Sequence, residues 1–497
     1  MPTDITPLLA QASAAVPDAP LFTLSGVEVT RSMLAIFLLF AVGAPLVLAV
    51  SWRIKPVHLA LGFATTAAMW AIGYVSMMAP GLWIGEALFA LTLAVPVAFG
   101  ALARRAGASP VMTGLVSAFA NLLVIGAFLR DEQGGSRVAG PLYVVGLLAG
   151  SAALAWFGGF LARRARPVAL PAPAGLFALV AAATVFILLV TGGLVTGLES
   201  GLAVPDWPNS FGHNMLLYPI SEMKGGIYYE HAHRLFGMLV GATALVLVSV
   251  VWREERGFAI GAAAVAFLCM VCVQGLFGGL RVTGNLTTAT SGTELEPSTL
   301  LAIVHGMFGQ IVFATACVIA CAASGAWRAT SPRAGMADAS RLRALPVALT
   351  VLLLVQLFLG ASYRHLQIPP ANGNPAVHPA WPIWGHIAGA LVVLVVAVIT
   401  GAMASSRARD IRPMRILGKG LVHAVGLQVA LGIGAFVMVI IRTDAAIPVY
   451  EVAVTSVHQA FGALILASSA MLAAWSLHAV AAPATVGAVT PSSSTAA

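Results

Sequence analysis

Charge is scarce in this chain. Only 9% of its 497 residues are Asp, Glu, Lys or Arg, whereas 59% are hydrophobic and the mean hydropathy is +0.94. No water-soluble surface of this size can be built from so few charges, which leaves a polytopic membrane protein. The formal charge of +8 does not point to nucleic acid, because the basic residues fall between apolar runs without a clustered basic face or interleaved aromatics. Cysteine is nearly absent too. The four present, Cys269, Cys272, Cys317 and Cys321, all sit inside apolar stretches, so they read as packing residues and no disulfide is expected. Residues 1–30 carry Asp4, Asp18 and Glu28 but no basic n-region before a cleavage site, so a removed signal peptide is not expected.

What remains is a series of apolar runs of bilayer length. They lie near 32–52, 58–79, 83–103, 110–129, 141–162, 175–197, 229–252, 257–280, 299–323, 344–365, 382–404, 418–440 and 452–478. The fold class expected is an all-α polytopic membrane protein of about 13 transmembrane helices. Eighteen of the 26 basic residues, among them Arg104, Arg105, Arg163, Arg164, Arg407 and Arg409, occupy one alternate set of connections. The positive-inside rule makes those cytoplasmic, with the N-terminus outside and the C-terminus inside. The stretch RRARPVALPAPAG at 163–175 reads as a linker. It separates a five-helix N-terminal module, residues 1–165, from two further parts, 171–330 and 344–480, and a disordered tail at 481–497.

Those two parts are repeats. His233 and His305 are 72 residues apart, as are His386 and His458, and a small residue follows each four positions later (Gly237, Gly309, Ala390, Gly462). QGLFG from Gln274 is echoed by QVALG from Gln428. Each histidine lies within about seven residues of the outer end of its helix, roughly 10 Å deep. Two facing imidazoles with no third ligand at matching depth suit the two axial positions of a heme better than zinc or copper. The predicted architecture is two pseudo-repeated four-helix bundles, each with one heme, and the +4 small residue is expected to clear a helix face for the macrocycle.

Four of the residues 230–234, in the run EHAHRLFG, are ionisable. Glu230 and His233 share a helix face with Arg234 adjacent, while His231 points away and reads as an interfacial bystander. The position equivalent to Glu230 in the second repeat is Ile383. A carboxylate beside one heme only suggests a reacting molecule in the first half and an electron-transfer cofactor in the second. The plain alternative for Glu230 is an ion pair with Arg234. Asp206, Trp207 and His213 are expected to cap the first pocket, and Arg281, Arg364 and Arg442 to lie near both pockets, where heme carboxylates need cations. His365 and His378 read as surface residues, and His58 lies at the cytoplasmic edge.

The motifs TGGLVTGLESGLAVPDWPNSFG, EHAHRLFG, VQGLFGGLRVTGNL, LAIVHGMFGQ, VQLFLGASYRH, WGHIAGA, LQVALGIGAFV and VTSVHQAFGALILA together resemble the heme A synthase family over about 175–480. The resemblance implies an oxidoreductase of a bacterial cytoplasmic membrane that converts the C8 methyl of heme O to the formyl of heme A for terminal oxidases. By it, His233 and His305 hold the substrate heme O, His386 and His458 hold a resident heme b, and Glu230 is catalytic. It points to heme O synthase and oxidase assembly factors as partners, and names no electron donor. Many family members carry an outer-loop cysteine pair; here SGLAVPDWP has Ala203 and Val204. The N-terminal module falls outside the resemblance, and packing or docking is its default role. The competing class is a di-heme b-type membrane cytochrome that moves electrons or carries heme without altering it.

Overall fold

The computed structural model describes residues 20–24, 27–30, 39–79, 81–129, 139–255, 257–283, 298–366, 378–442 and 447–482. The expected tail from 483 and residues 1–19 lie outside them. The chain is an all-α membrane protein. In lipid a helix is the one single-segment structure that pairs its own backbone, and the apolar runs accordingly become helices. Five precede the linker: α1 (Ala44–Arg53), α2 (Pro56–Met77), α3 (Trp83–Thr92) with α4 (Ala94–Arg105) forming one span, α5 (Pro110–Leu129) and α6 (Ala139–Leu161). The core follows with α7 (Pro173–Gly197), α8 (Gly226–Glu254), α9 (Phe258–Val282), α10 (Thr299–Ala322), α11 (Ala339–His365), α12 (Ala380–Arg407), α13 (Arg412–Ile441) and α14 (Val449–Ala479).

Among the described residues eleven helices are long and apolar enough to cross a bilayer, and two shorter apolar ones, Ala41–Arg53 and Pro110–Val124, occupy the other two expected places. The break between α3 and α4 has a local cause. Pro96 has no N–H for the carbonyl of Thr92, where α3 ends. Pro56 and Pro173 instead open helices at the first turn, where a missing N–H costs nothing, and Ser298 caps α10 by accepting from Leu301 N at 3.2 Å.

In the core, α7 packs on α8, α8 on α9, α9 on α10 and α10 back on α7, closing one four-helix bundle; α11 to α14 close a second in the same order. The bundles meet through α10 against α14, α7 against α14 and α10 against α11, the set of contacts that a two-fold relation generates. Where backbones touch, glycine is required: a Cβ on Gly418 of α13 would strike the Gly401 carbonyl of α12 at 2.6 Å. Among the described residues the main contacts of the N-terminal helices with the core are to the first bundle, through α2 on α7 and α1, α2 and α5 on α8. Tyr74 of α2 stacks on Tyr228 of α8 with centroids 5.3 Å apart, and Tyr228 Oη donates to the Tyr74 carbonyl at 2.6 Å. At the other end Arg253 donates to the carbonyls of Trp52 and Ile54 at 2.7 and 2.8 Å. His58, in the first turn of α2, is buried within this module and accepts from Ser109 N at 3.0 Å.

Candidate heme sites

All four repeat histidines sit in the first three turns of α8, α10, α12 and α14, which run in the same direction. Each faces a glycine on the helix before it. A Cβ on Gly192, Gly278, Gly360 or Gly432 would lie 2.9, 3.1, 3.1 and 3.0 Å from Cε1 of His233, His305, His386 and His458 respectively. Three of these glycines follow a glutamine by four residues. Gln274, Gln356 and Gln428 each donate Nε2 to the peptide carbonyl of the opposite histidine, at 2.9, 2.7 and 3.1 Å. The fourth such position holds Leu188, and there His233 Nδ1 meets Thr191 Oγ1 at 3.1 Å instead.

This corrects the role read for the +4 small residues. Gly309 and Gly462 receive the amides of Gln274 and Gln428, 3.0 and 3.2 Å from where a Cβ would be, whereas Gly237 faces open space. The glycines that accommodate the imidazoles lie on the neighbouring helices. The signal was present as QGLFG, QLFLG and QVALG, a glutamine and a glycine four apart.

The imidazoles suit a metal between them. Thr191 Oγ1 donates to the Leu188 carbonyl at 2.9 Å, so it accepts from Nδ1–H of His233 and leaves the Nε2 lone pair free. His386 Nδ1 donates to the Gln356 carbonyl at 3.0 Å with the same result. The rings of His386 and His458 have centroids 6.2 Å apart. Two opposed imidazoles on one ion, with metal–nitrogen bonds of about 2.0 Å and about 1.1 Å more to each centroid, would give about 6 Å. Among the described residues no three His, Cys, Asp or Glu side chains gather to hold a bare ion, so the donor set fits an axially ligated macrocycle.

Around the first pair the outer loop is tied down. Arg234 donates to the carbonyls of Asp206, Asn209 and Val204 at 2.6, 3.0 and 2.7 Å and to Glu230 Oε1 at 2.7 Å. Glu230 is buried, and its Oε2 accepts from Val204 N at 2.9 Å. The ion pair exists, and it is part of a loop clamp. The loop carries a two-residue hairpin, β1 (Asn209–Ser210) with β2 (His213–Asn214), and the Trp207 ring packs directly on Gly279 of α9. Asp206 accepts from Phe211 N and Gly212 N at 2.7 and 2.8 Å, and His213 sits 6.1 Å from the Tyr218 ring. Burial, with Glu222 and Asp206 nearby, raises the Tyr218 phenol above its ordinary value.

Two histidines read from sequence as peripheral are not. His231 is fully buried, its Nδ1 3.1 Å from Ser210 Oγ and its ring 4.9 Å from that of Tyr218. His365 is partly buried within electrostatic reach of His305, Arg281 and Arg364, whereas His378 is bonded to the Leu366 carbonyl at 3.0 Å. The second half also has a buried acid that the repeat comparison passes over. Glu451 lies two turns before His458 and 3.7 Å from Arg442.

The sequence relationships agree with this geometry. Residues 175–470 match the family described as Cytochrome oxidase assembly protein, COX15-CtaA. The chain belongs to the COX15-CtaA, or heme A synthase, family. It is 27% identical over 358 residues to a protein named Heme A synthase from Caulobacter sp. (strain K31), covering 63% of this chain and 96% of that one. It is 26% identical over 371 residues to the Heme A synthase of Rhodospirillum centenum, covering 64% and 91%, and 25% identical over 361 residues to that of Caulobacter vibrioides, covering 63% and 96%. The family match begins in α7, so the eight-helix core carries the heme A synthase relationship and the N-terminal module lies before it.

Proposed function

We propose that this member of the family oxidises the C8 methyl of heme O to a formyl group, through an alcohol, in two two-electron steps whose electrons pass to an external acceptor and whose oxygen atom comes from water. In this reading residues 171–330 form the substrate half, with His233 and His305 as axial ligands of heme O, and residues 344–480 form the cofactor half, with His386 and His458 holding a resident heme b. Residues 1–165 support the substrate half. The bound heme b would supply electron transfer. The sites face the outer side of the cytoplasmic membrane.

The observation that carries the proposal is the asymmetry of otherwise matching sites: Glu230 stands three residues before His233, where the second half has Ile383. Its two oxygens are held by Arg234 and by Val204 N–H, so the side chain is fixed in position. A carboxylate so engaged suits electrostatic stabilisation of positive charge developing at the adjacent methyl better than repeated proton uptake. Thr191 and Leu188 orient the His233 ring, and the Trp207 loop shields the pocket from water. The test is the pigment extracted from membranes that express the chain with a supply of heme O. A formyl group moves the pyridine hemochrome spectrum to the red; protoheme and heme O alone, in repeated preparations of folded protein, would favour the electron carrier.

A further inference from the structure

Four arginines stand at or near the outer ends of the core helices, and three are occupied. Arg234 has Glu230 and three carbonyls. Arg364 donates to the Thr196 carbonyl at 2.5 Å and lies 3.9 Å from Glu199; Arg442 pairs with Glu451. Arg281, at the end of α9, has neither. Its Nε is sealed from solvent without a hydrogen-bond partner, and among the described residues it forms no ion pair. The nearest carboxylate in electrostatic reach is Glu230, already neutralised by Arg234. A guanidinium taken out of water and left unpaired is costly, so a folded protein that keeps one there has a use for it.

Its place is beside the first pair: Gly278, one turn before it on α9, lies against the His305 ring. The charge of Arg281 reaches both imidazoles of the first pair, His233 and His305. The space it fills exists because residue 201 is glycine, since a Cβ there would lie 2.8 Å from Nη2 and 3.0 Å from Nη1. A porphyrin held between those imidazoles carries just one kind of anion at its edge, the propionate carboxylates. We propose that Arg281 binds the propionate on the pyrrole ring that also bears the C8 methyl. A guanidinium takes a carboxylate in a bidentate, planar grip, so it fixes the ring's rotation as well as its depth. Because methyl and propionate are neighbours on that pyrrole, the grip brings the methyl to the side of the pocket where Glu230 stands. The inference rests on the reading that His233 and His305 hold the substrate.

The test uses the full-length protein carrying its second-site heme, loaded with heme O or with heme O dimethyl ester. Arg281→Gln should weaken retention of heme O about tenfold or more, while Arg281→Lys recovers part of it. Esterification should weaken wild type to a similar degree and the Gln variant no further. Second-site heme content and protein yield should stay at wild-type levels in Arg281→Gln, since no pair is broken. Equal heme O retention by wild type and Arg281→Gln, or an equal ester penalty in both, overturns the assignment; so does loss of yield together with second-site heme. His305→Ala separates the layers. If it loses heme O while Arg281→Gln does not, the arginine alone is misassigned; if it keeps heme O, the substrate reading falls and the arginine with it.

Discussion

The two bundles of the core share one plan and differ in what surrounds it. Both place a glycine against each imidazole, and both close four helices in the same order. The second bundle has Gln356 and Gln428 fastening both histidine-bearing helices, and the buried Glu451 beside Arg442. The first replaces one glutamine by Leu188, adds a loop clamped by Arg234, leaves Arg281 without an ion pair among the described residues, and is flanked by the N-terminal helices. In the proposed reading the common part holds a heme, and most of the additions fall in the half where chemistry is proposed.

That contrast can be broken most directly at the ligands. His386→Ala or His458→Ala should abolish the b-type signal, read as pyridine hemochrome per protein, with the helices still inserted because hydrophobicity sets the spans. His233→Ala or His305→Ala should leave that signal and lose heme O. Equal losses from all four variants would erase the distinction between the halves.

Next in size is Glu230→Gln. Arg234 keeps its three carbonyl partners, so folded protein and protoheme should persist, while heme A formation drops by about 10²–10³. The ratio of heme O to heme A in one preparation measures this. Loss of yield instead would assign Glu230 to the loop clamp alone, since stranding a buried arginine costs about 3–5 kcal/mol.

A smaller effect belongs to the glycines. Gly432→Ala puts a methyl 3.0 Å from His458 Cε1 and should displace the ring, costing about 1–3 kcal/mol and raising the high-spin fraction of the bound heme. The smallest concerns the clamps. Gln428→Leu removes the amide that donates to the His458 carbonyl and also lies 3.3 Å from its Nδ1, and should lower stability by about 1 kcal/mol, seen as a lower melting temperature with heme bound. The reverse change, Leu188→Gln, should stiffen the first half by a similar amount if the repeat is transferable.

Spans, repeat and histidine spacing were legible because each depends on period and hydrophobicity, which a sequence displays directly. The pairing of Glu230 with Arg234 was legible as an alternative, from their spacing of one turn. What escaped depends on which helices become neighbours. Nothing local to His231 shows that the hairpin at Asn209–Asn214 will cover it, and nothing near His365 brings it within electrostatic reach of Arg281. The role of Gly192, Gly278, Gly360 and Gly432 needs the adjacent helix as well, although their offset from glutamine was visible three times. Glu451 was missed because comparison of equivalent positions searched only the place occupied by Glu230.

The interface in which α10 meets α14, while α7 meets α14 as α10 meets α11, is the arrangement of a symmetric dimer joined into one polypeptide. In a true dimer every substitution appears at both sites, so an acid introduced beside one heme is introduced beside the other. Covalent fusion removes that constraint, and residue 383 can remain isoleucine while residue 230 is glutamate. Joining the copies thus permits an unequal division of labour within a scaffold whose geometry stays shared.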